Sequence, residues 1–155
     1  MIELYIPNID DLWFRQQMMN DEETMLYNCA WGGTIPFPKE EWTEWYDYWI
    51  VNADGERFYR YLVEIETNEF VGEAAYHYDD VRKINVADII VYAKYRGKGY
   101  GTTGLMMLCK AAKNQSVDVL FDDIAIDNSS VYIFEKCGFT EEYRTSEYIM
   151  MKKVL

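Results

Sequence analysis

Three successive stretches in the middle of the chain are short and rich in Val, Ile, Tyr and Phe: RFYRYLVEIE (57–66), EFVGEAAYHY (69–78) and INVADIIVYA (84–93). Each is bounded by polar or turn residues, the mark of strands. Thr67-Asn68 joins the first two and DDVRK the last two, which predicts an antiparallel meander. Upstream, IELYI (2–6) reads as a short strand. Asp10 or Asp11 can cap a helix running to about Asn20, and DEETMLYN (21–28) predicts a second helical stretch. WGGTIPFP (31–38) is a loop by its glycines and prolines. In the helix predicted over 39–52, Trp42, Trp45, Tyr46 and Trp49 share one face, as in a helix docked on a core.

Downstream, apolar residues at 105, 108, 109 and 112 predict a helix over 101–115. VDVLFDDIAI (117–126) is a strand, and NSSVYIFEKC (128–137) a helix stopped by Gly138. Two strands close the chain. The order predicts one α/β domain of the α+β type over residues 1–155, with a central, mostly antiparallel sheet of about seven strands flanked by helices.

Composition narrows the function. The net charge of −12 argues against nucleic acid, whose phosphates require Lys and Arg to displace counterions. It favours cationic partners such as amines. No apolar run is long enough for a membrane span, and MIELYIPNIDDLW lacks the pattern of a secretory signal, so a cytoplasmic protein is expected. Cys29, Cys109 and Cys137 form no paired motif, and His77 is the single histidine. Neither a disulfide framework nor a metal site is expected.

The chemistry concentrates in YRGKGYG (95–101), between a strand and a helix. It lacks the Gly-Lys-Ser/Thr of a nucleotide P-loop. Gly99-x-Gly101-x-x-Gly104 formally fits a dinucleotide fingerprint but comes too late in the chain for a doubly wound sheet. What the segment can form is a nest of backbone N–H groups at the positive end of a helix, suited to a pyrophosphate.

YRGKGYG resembles the R/Q-x-x-G-x-G/A acyl-CoA loop of the GNAT superfamily of N-acyltransferases. DNSSVYIFEKCGF (127–139) is similar to that family's later segment, an Asn followed by a helix ending in Glu-Lys-x-Gly-Phe. The resemblance implies an acetyltransferase that joins acetyl-CoA to a primary amine by direct transfer. It implies that Arg96, Gly97, Lys98, Gly99, Tyr100, Gly101 and Thr102 hold the pyrophosphate. It also implies that Ile90, Val91 and Tyr92 present the thioester, with Val91 as N–H donor, and that Asn128 and Ser130 serve the cofactor. Asp127, and not Asn128, falls at the family's Asn by spacing from Gly138-Phe139.

A lysine-like amine of pKa ~10.4 is almost wholly protonated at neutral pH, so a carboxylate must take its proton. Asp88 and Glu73 are the two candidates. Some relatives carry the acid one position earlier, at Ala87 here, and a slip of one residue reverses the face of a strand. The family's thiol-protonating Tyr is replaced by Phe134. Tyr132 and Tyr143 are the substitutes within reach of the sequence. Asp21-Glu22-Glu23, Tyr27, Trp31 and YHYDD (76–80) can line a site for a small cationic amine. A protein N-terminus or lysine as acceptor, or a non-catalytic acyl-CoA sensor, are the alternatives, and a homodimer is the expected assembly.

Overall fold

The computed structural model describes all of residues 1–155. Its seven strands are β1 (Ile2–Tyr5), β2 (Arg57–Glu64), β3 (Glu69–Asp79), β4 (Ile84–Val91), β5 (Val119–Ala125), β6 (Thr140–Arg144) and β7 (Tyr148–Val154). They form one sheet in the order β1-β2-β3-β4-β5-β7-β6. All neighbours are antiparallel except β4 and β5. The mixed, mostly antiparallel seven-stranded sheet expected from the sequence is therefore present. The helices are α1 (Leu12–Asn20), α2 (Trp42–Tyr46, continued by a π turn over Asp47–Val51), α3 (Tyr100–Asn114) and α4 (Val131–Lys136). None is long and apolar enough to cross a membrane.

The two-residue period of the strands sorts their side chains between two cores. Leu62, Ala74, Tyr76, Ala87, Leu120 and Ile124 pack with Leu105, Leu108 and Ala112 of α3 and Phe134 of α4. Tyr59, Tyr61, Val63, Ala75 and Ile90 face the other way, against Phe14, Met18 and Met19 of α1. Trp45 and Trp49 border this second core, as the aromatic face of that helix predicts.

Three helical expectations change in detail. Residues 21–28 do not form an α-helix; a 3-10 segment runs over Thr24–Trp31 and ends at Gly32. Asp21 accepts from both the N–H and the hydroxyl of Thr24, and the Asn28 amide donates to Gly33 O. Such short side-chain bonds compete with the α-helical ladder. The helix expected over 128–137 is shortened to α4, because Asn128 Oδ1 accepts from Ser130 N–H and turns the entry. At α1, Asp11 does not cap forward; its carboxylate reaches back to the N–H of Asn8.

β4 and β5 are paired at a single register point, Val86 with Phe121. β4 runs on to Val91 with no β5 partner, so the sheet opens along its second half.

Candidate active site

The glycine segment follows this opening directly. Gly97 and Gly99 both lie at φ +82°, a left-handed conformation that a Cβ disfavours. A Cβ at either would meet nothing within 4 Å, so backbone conformation and not packing requires these glycines. The N–H groups of Gly97, Lys98, Gly99, Tyr100, Gly101 and Thr102 donate to no backbone carbonyl of the chain. They lie at the start of the fifteen-residue α3, where the helix dipole is positive. The residues present thus fit a pyrophosphate: a row of free donors with no side chain in the way.

The side chains of the segment are placed less uniformly. Lys98 lies exposed, its Nζ 5.8 Å from the Tyr95 ring. The Tyr100 hydroxyl donates to Glu64 Oε2 at 2.7 Å, which leaves its N–H as the part that can meet a ligand. Arg96 does not simply face the nest. Its guanidinium donates to the carbonyls of Glu23 (3.3 Å) and Thr24 (2.9 Å).

The register of β4 fixes where Val91 points. Tyr92 N–H donates to Val71 O at 2.9 Å, beside the pair Gly72–Val91. That bond makes Gly72–Val91 a non-hydrogen-bonded pair of the antiparallel ladder. The Val91 N–H is therefore turned away from β3, toward the side that β5 has left. Tyr92 N–H is consumed in the ladder, and the Ile90 side chain is buried in the second core.

The same register places the carboxylates. Ala87 is fully buried under α3, so Asp88 emerges on the opposite face, beside Ala75. Glu73 pairs with Ile90 on that face, as Asp88's diagonal neighbour. Glu73 is 2% exposed. Arg15 Nη1 donates to both of its oxygens, at 3.3 and 3.1 Å, and the Tyr59 hydroxyl donates to Oε2. Asp88 takes part in none of the chain's ion pairs. Burial and the charge of Glu73 push its carboxyl up to about 7, against the pull of Arg15. Burial, then Asp88 and Glu73, also raise the half-buried Tyr27 hydroxyl, and Tyr27 packs against the second core, which includes Ala75 and Ile90.

Tyr132 is not brought into this group. It is 56% exposed, and Lys136 Nζ sits 4.3 Å from its ring centroid. Phe134 is 1% exposed and packs on Phe139. Tyr143 is exposed and shares a 3.4 Å hydrogen bond with Tyr148. Asn128 and Ser130 serve the turn into α4.

Sequence reasoning missed Arg15, Tyr59 and Asp122. Arg15 lies three residues after Leu12 and four before Met19, both buried. A cation on that stripe demands a buried carboxylate, which was the available signal. Its guanidinium lies 4.8 Å from the Trp45 ring and 5.1 Å from that of Phe37. Burial opposes this charge, yet Glu73 and Tyr59 more than offset it and the pKa rises. The aromatic face of α2 therefore docks on the core and also holds an internal cation. Asp122, on β5, is a third carboxyl pushed up by burial and by Asp88. Two surface clefts open beside Trp13; neither is lined by Asp88, Glu73 or residues 96–102, and the second is lined by Tyr92 and Tyr95. Asp88 and Val91 lie on β4 beyond Val86, the residue that pairs with β5.

Comparison with known proteins identifies the family. Residues 4–140 match the family model of the acetyltransferase (GNAT) domain. A [ribosomal protein bS18]-alanine N-acetyltransferase of Haemophilus influenzae is 31% identical over 94 residues, 59% of this chain and 62% of that protein. A spermidine N-acetyltransferase from Vibrio cholerae, in complex with CoA and spermine, superposes with TM-score 0.79 at 18% identity, over 99% of this chain and 95% of that one. A ribosomal-protein-alanine N-acetyltransferase from Brucella melitensis gives TM-score 0.76 at 22% identity, over 100% and 99% of the two chains. With the donor-lined glycine turn and the split between β4 and β5, these matches show that the chain belongs to the GNAT acetyltransferase family.

Proposed function

We propose that this chain transfers an acetyl group from acetyl-CoA to the primary amine of a small cationic molecule, with Asp88 as general base. The acyltransferase class and the acetyl-CoA co-substrate follow from the family. The observation that carries the assignment of the base is the contrast between the two acids. Glu73 is held by Arg15 and Tyr59, whereas Asp88 has no cation of its own and titrates near neutrality. A base poised near the working pH combines the correct ionisation with useful driving force.

Acetyl-CoA supplies the acetyl thioester. The N–H groups of residues 97–102, with the charge of Lys98, hold its pyrophosphate. Val91 N–H, turned into the gap, stabilises negative charge developing on the thioester oxygen; a donor of this kind is worth a factor of ~10²–10³. Asp88 takes the proton of the bound ammonium, directly or through water, and so frees the attacking lone pair. Ionised Asp88 supplies the negative charge that favours a cation, while Tyr27 and Asp122, both held toward their neutral forms, offer hydrogen-bonding groups. No tyrosine is assigned as the acid. A thiol pKa near ~8.5 lets the thiolate leave without one.

The cytoplasm is the compartment this reading assumes. A homodimer through β6, all five of whose residues are exposed, or through the aromatic helix, completes it and is checked by sedimentation. The function itself is tested with acetyl-CoA and a panel of polyamines, aminoglycosides, amino acids and short peptides, following thiol release. Amine-dependent release that disappears in the double variant Gly99→Val, Gly101→Val supports the reading. Tight acetyl-CoA binding with no release from any amine would replace it with an acyl-CoA sensor.

A further inference from the structure

The 3-10 segment that carries Tyr27 to the acids is fastened to the glycine loop at two points. Thr24 is fully buried. Its Oγ1 accepts from Ala93 N–H at 2.9 Å and donates to Asp21 Oδ2 at 2.5 Å. One turn on, Arg96 spans the carbonyls of Glu23 and Thr24 with its two terminal nitrogens. Both fastenings join residues 21–24, where the Tyr27 segment starts, to residues 93–96, where the loop starts. The chain separation is about seventy residues in each case. Within the 24–31 segment Met25 is also fully buried in the second core and Tyr27 packs against it, while Leu26, Cys29 and Trp31 are exposed, and the backbone is held by 3-10 bonds, which have poorer geometry than α-helical ones.

We propose that Arg96 is a positioning residue that couples CoA binding at the glycine loop to the order of the acceptor-side segment Thr24–Trp31. This rests on the reading of residues 97–102 as the pyrophosphate site. Arg96 immediately precedes Gly97, the first of the two left-handed glycines. A ligand that fixes the nest fixes the backbone from which the guanidinium reaches across. The guanidinium fork suits two adjacent carbonyls; a lysine ammonium cannot reproduce that geometry. The cofactor thereby prepares the segment that carries Tyr27 before the amine arrives. The energy available is that of a charge-assisted pair of bonds, enough for a coupling on the order of tenfold.

Hydrogen exchange with CoA as the only ligand tests this without knowledge of the acceptor. In the wild-type chain, saturating CoA is expected to slow exchange in 97–103 and also, by roughly tenfold, in 25–31. In Arg96→Gln and Arg96→Lys, CoA is expected still to bind and to protect 97–103, while protection of 25–31 is lost. If CoA leaves 25–31 unchanged in the wild type, the coupling is wrong although the loop reading stands. If either variant abolishes CoA binding, Arg96 is a direct phosphate ligand and the positioning role is overturned. If CoA protects neither segment, the pyrophosphate site itself is wrong and the coupling falls with it.

Discussion

Replacing Asp88 by Asn separates the proposed role of base from the cost of a buried acid. As the base, its loss is expected to lower kcat by ~10²–10⁴ with little change in acetyl-CoA affinity, and the wild-type rate is expected to rise with pH through about 7 as the acid ionises. As a buried acid, it costs stability. Its pKa is raised by folding, so between its ordinary value and about 7 the folded state holds a proton that the unfolded chain has released. The favourable contribution is present at acid pH and is lost as pH rises through about 7. Asp88→Asn is therefore expected to be more stable than wild type at pH 8, by about 1–3 kcal/mol, with the difference shrinking toward pH 4; denaturant melts across pH check the sign. Glu73→Gln should behave in the opposite way. It strips Arg15 of its partner, at a cost of ~3–5 kcal/mol, and removes the charge that raises Asp88, so the acid limb of the rate profile should move to lower pH. The sequence named both acids but could not rank them. Ranking required Arg15 and Tyr59, which lie 58 and 14 residues from Glu73 and whose meeting is a property of the folded sheet.

At the scale of elements, the separation of β4 from β5 is what makes a backbone group chemically useful. The N–H of Ile90 lies on the β3 side of the ladder and that of Val91 on the open side. Proline scanning reads this difference. Val91→Pro deletes a donor that the ladder does not use, so it is expected to lower kcat by ~10²–10³ while stability falls by no more than about 1–2 kcal/mol. Ile90→Pro deletes a ladder bond and is expected to destabilise the sheet strongly. Turnover and melting measured on the same two variants decide the point. The strands themselves were legible, because Val, Ile and Tyr runs with turns between them specify a meander. The glycine loop was legible because its residue types follow from backbone geometry alone. The 24–31 segment was not. Its 3-10 form depends on hydroxyl and amide bonds from Asp21, Thr24 and Asn28, which no helical period encodes. The shortened α4 has the same cause in Asn128.

The whole molecule carries a net charge of −12, and the proposed reaction pairs a cationic amine with an anionic cofactor. The two substrates should therefore respond to salt with opposite signs. Between about 20 and 200 mM NaCl, kcat/KM for a polyamine-like acceptor is expected to fall about 3–10-fold, while KM for acetyl-CoA stays level or drops. An acceptor without excess positive charge, such as a neutral peptide N-terminus, would show no such fall, so the salt slope also separates the acceptor classes. Charge alone pointed to this in the sequence; the opening between β4, which carries Asp88, and β5, which carries Asp122, was not legible there. That opening has a further consequence. A sheet of this kind ordinarily has two edges, both on its outside, where unpaired N–H and C=O groups can recruit a strand from another molecule and seed aggregation. Because β4 and β5 part after Val86, this sheet has two more edges in its interior. These inner edges lie within the fold, and Val91 N–H is among the groups they leave outside the ladder.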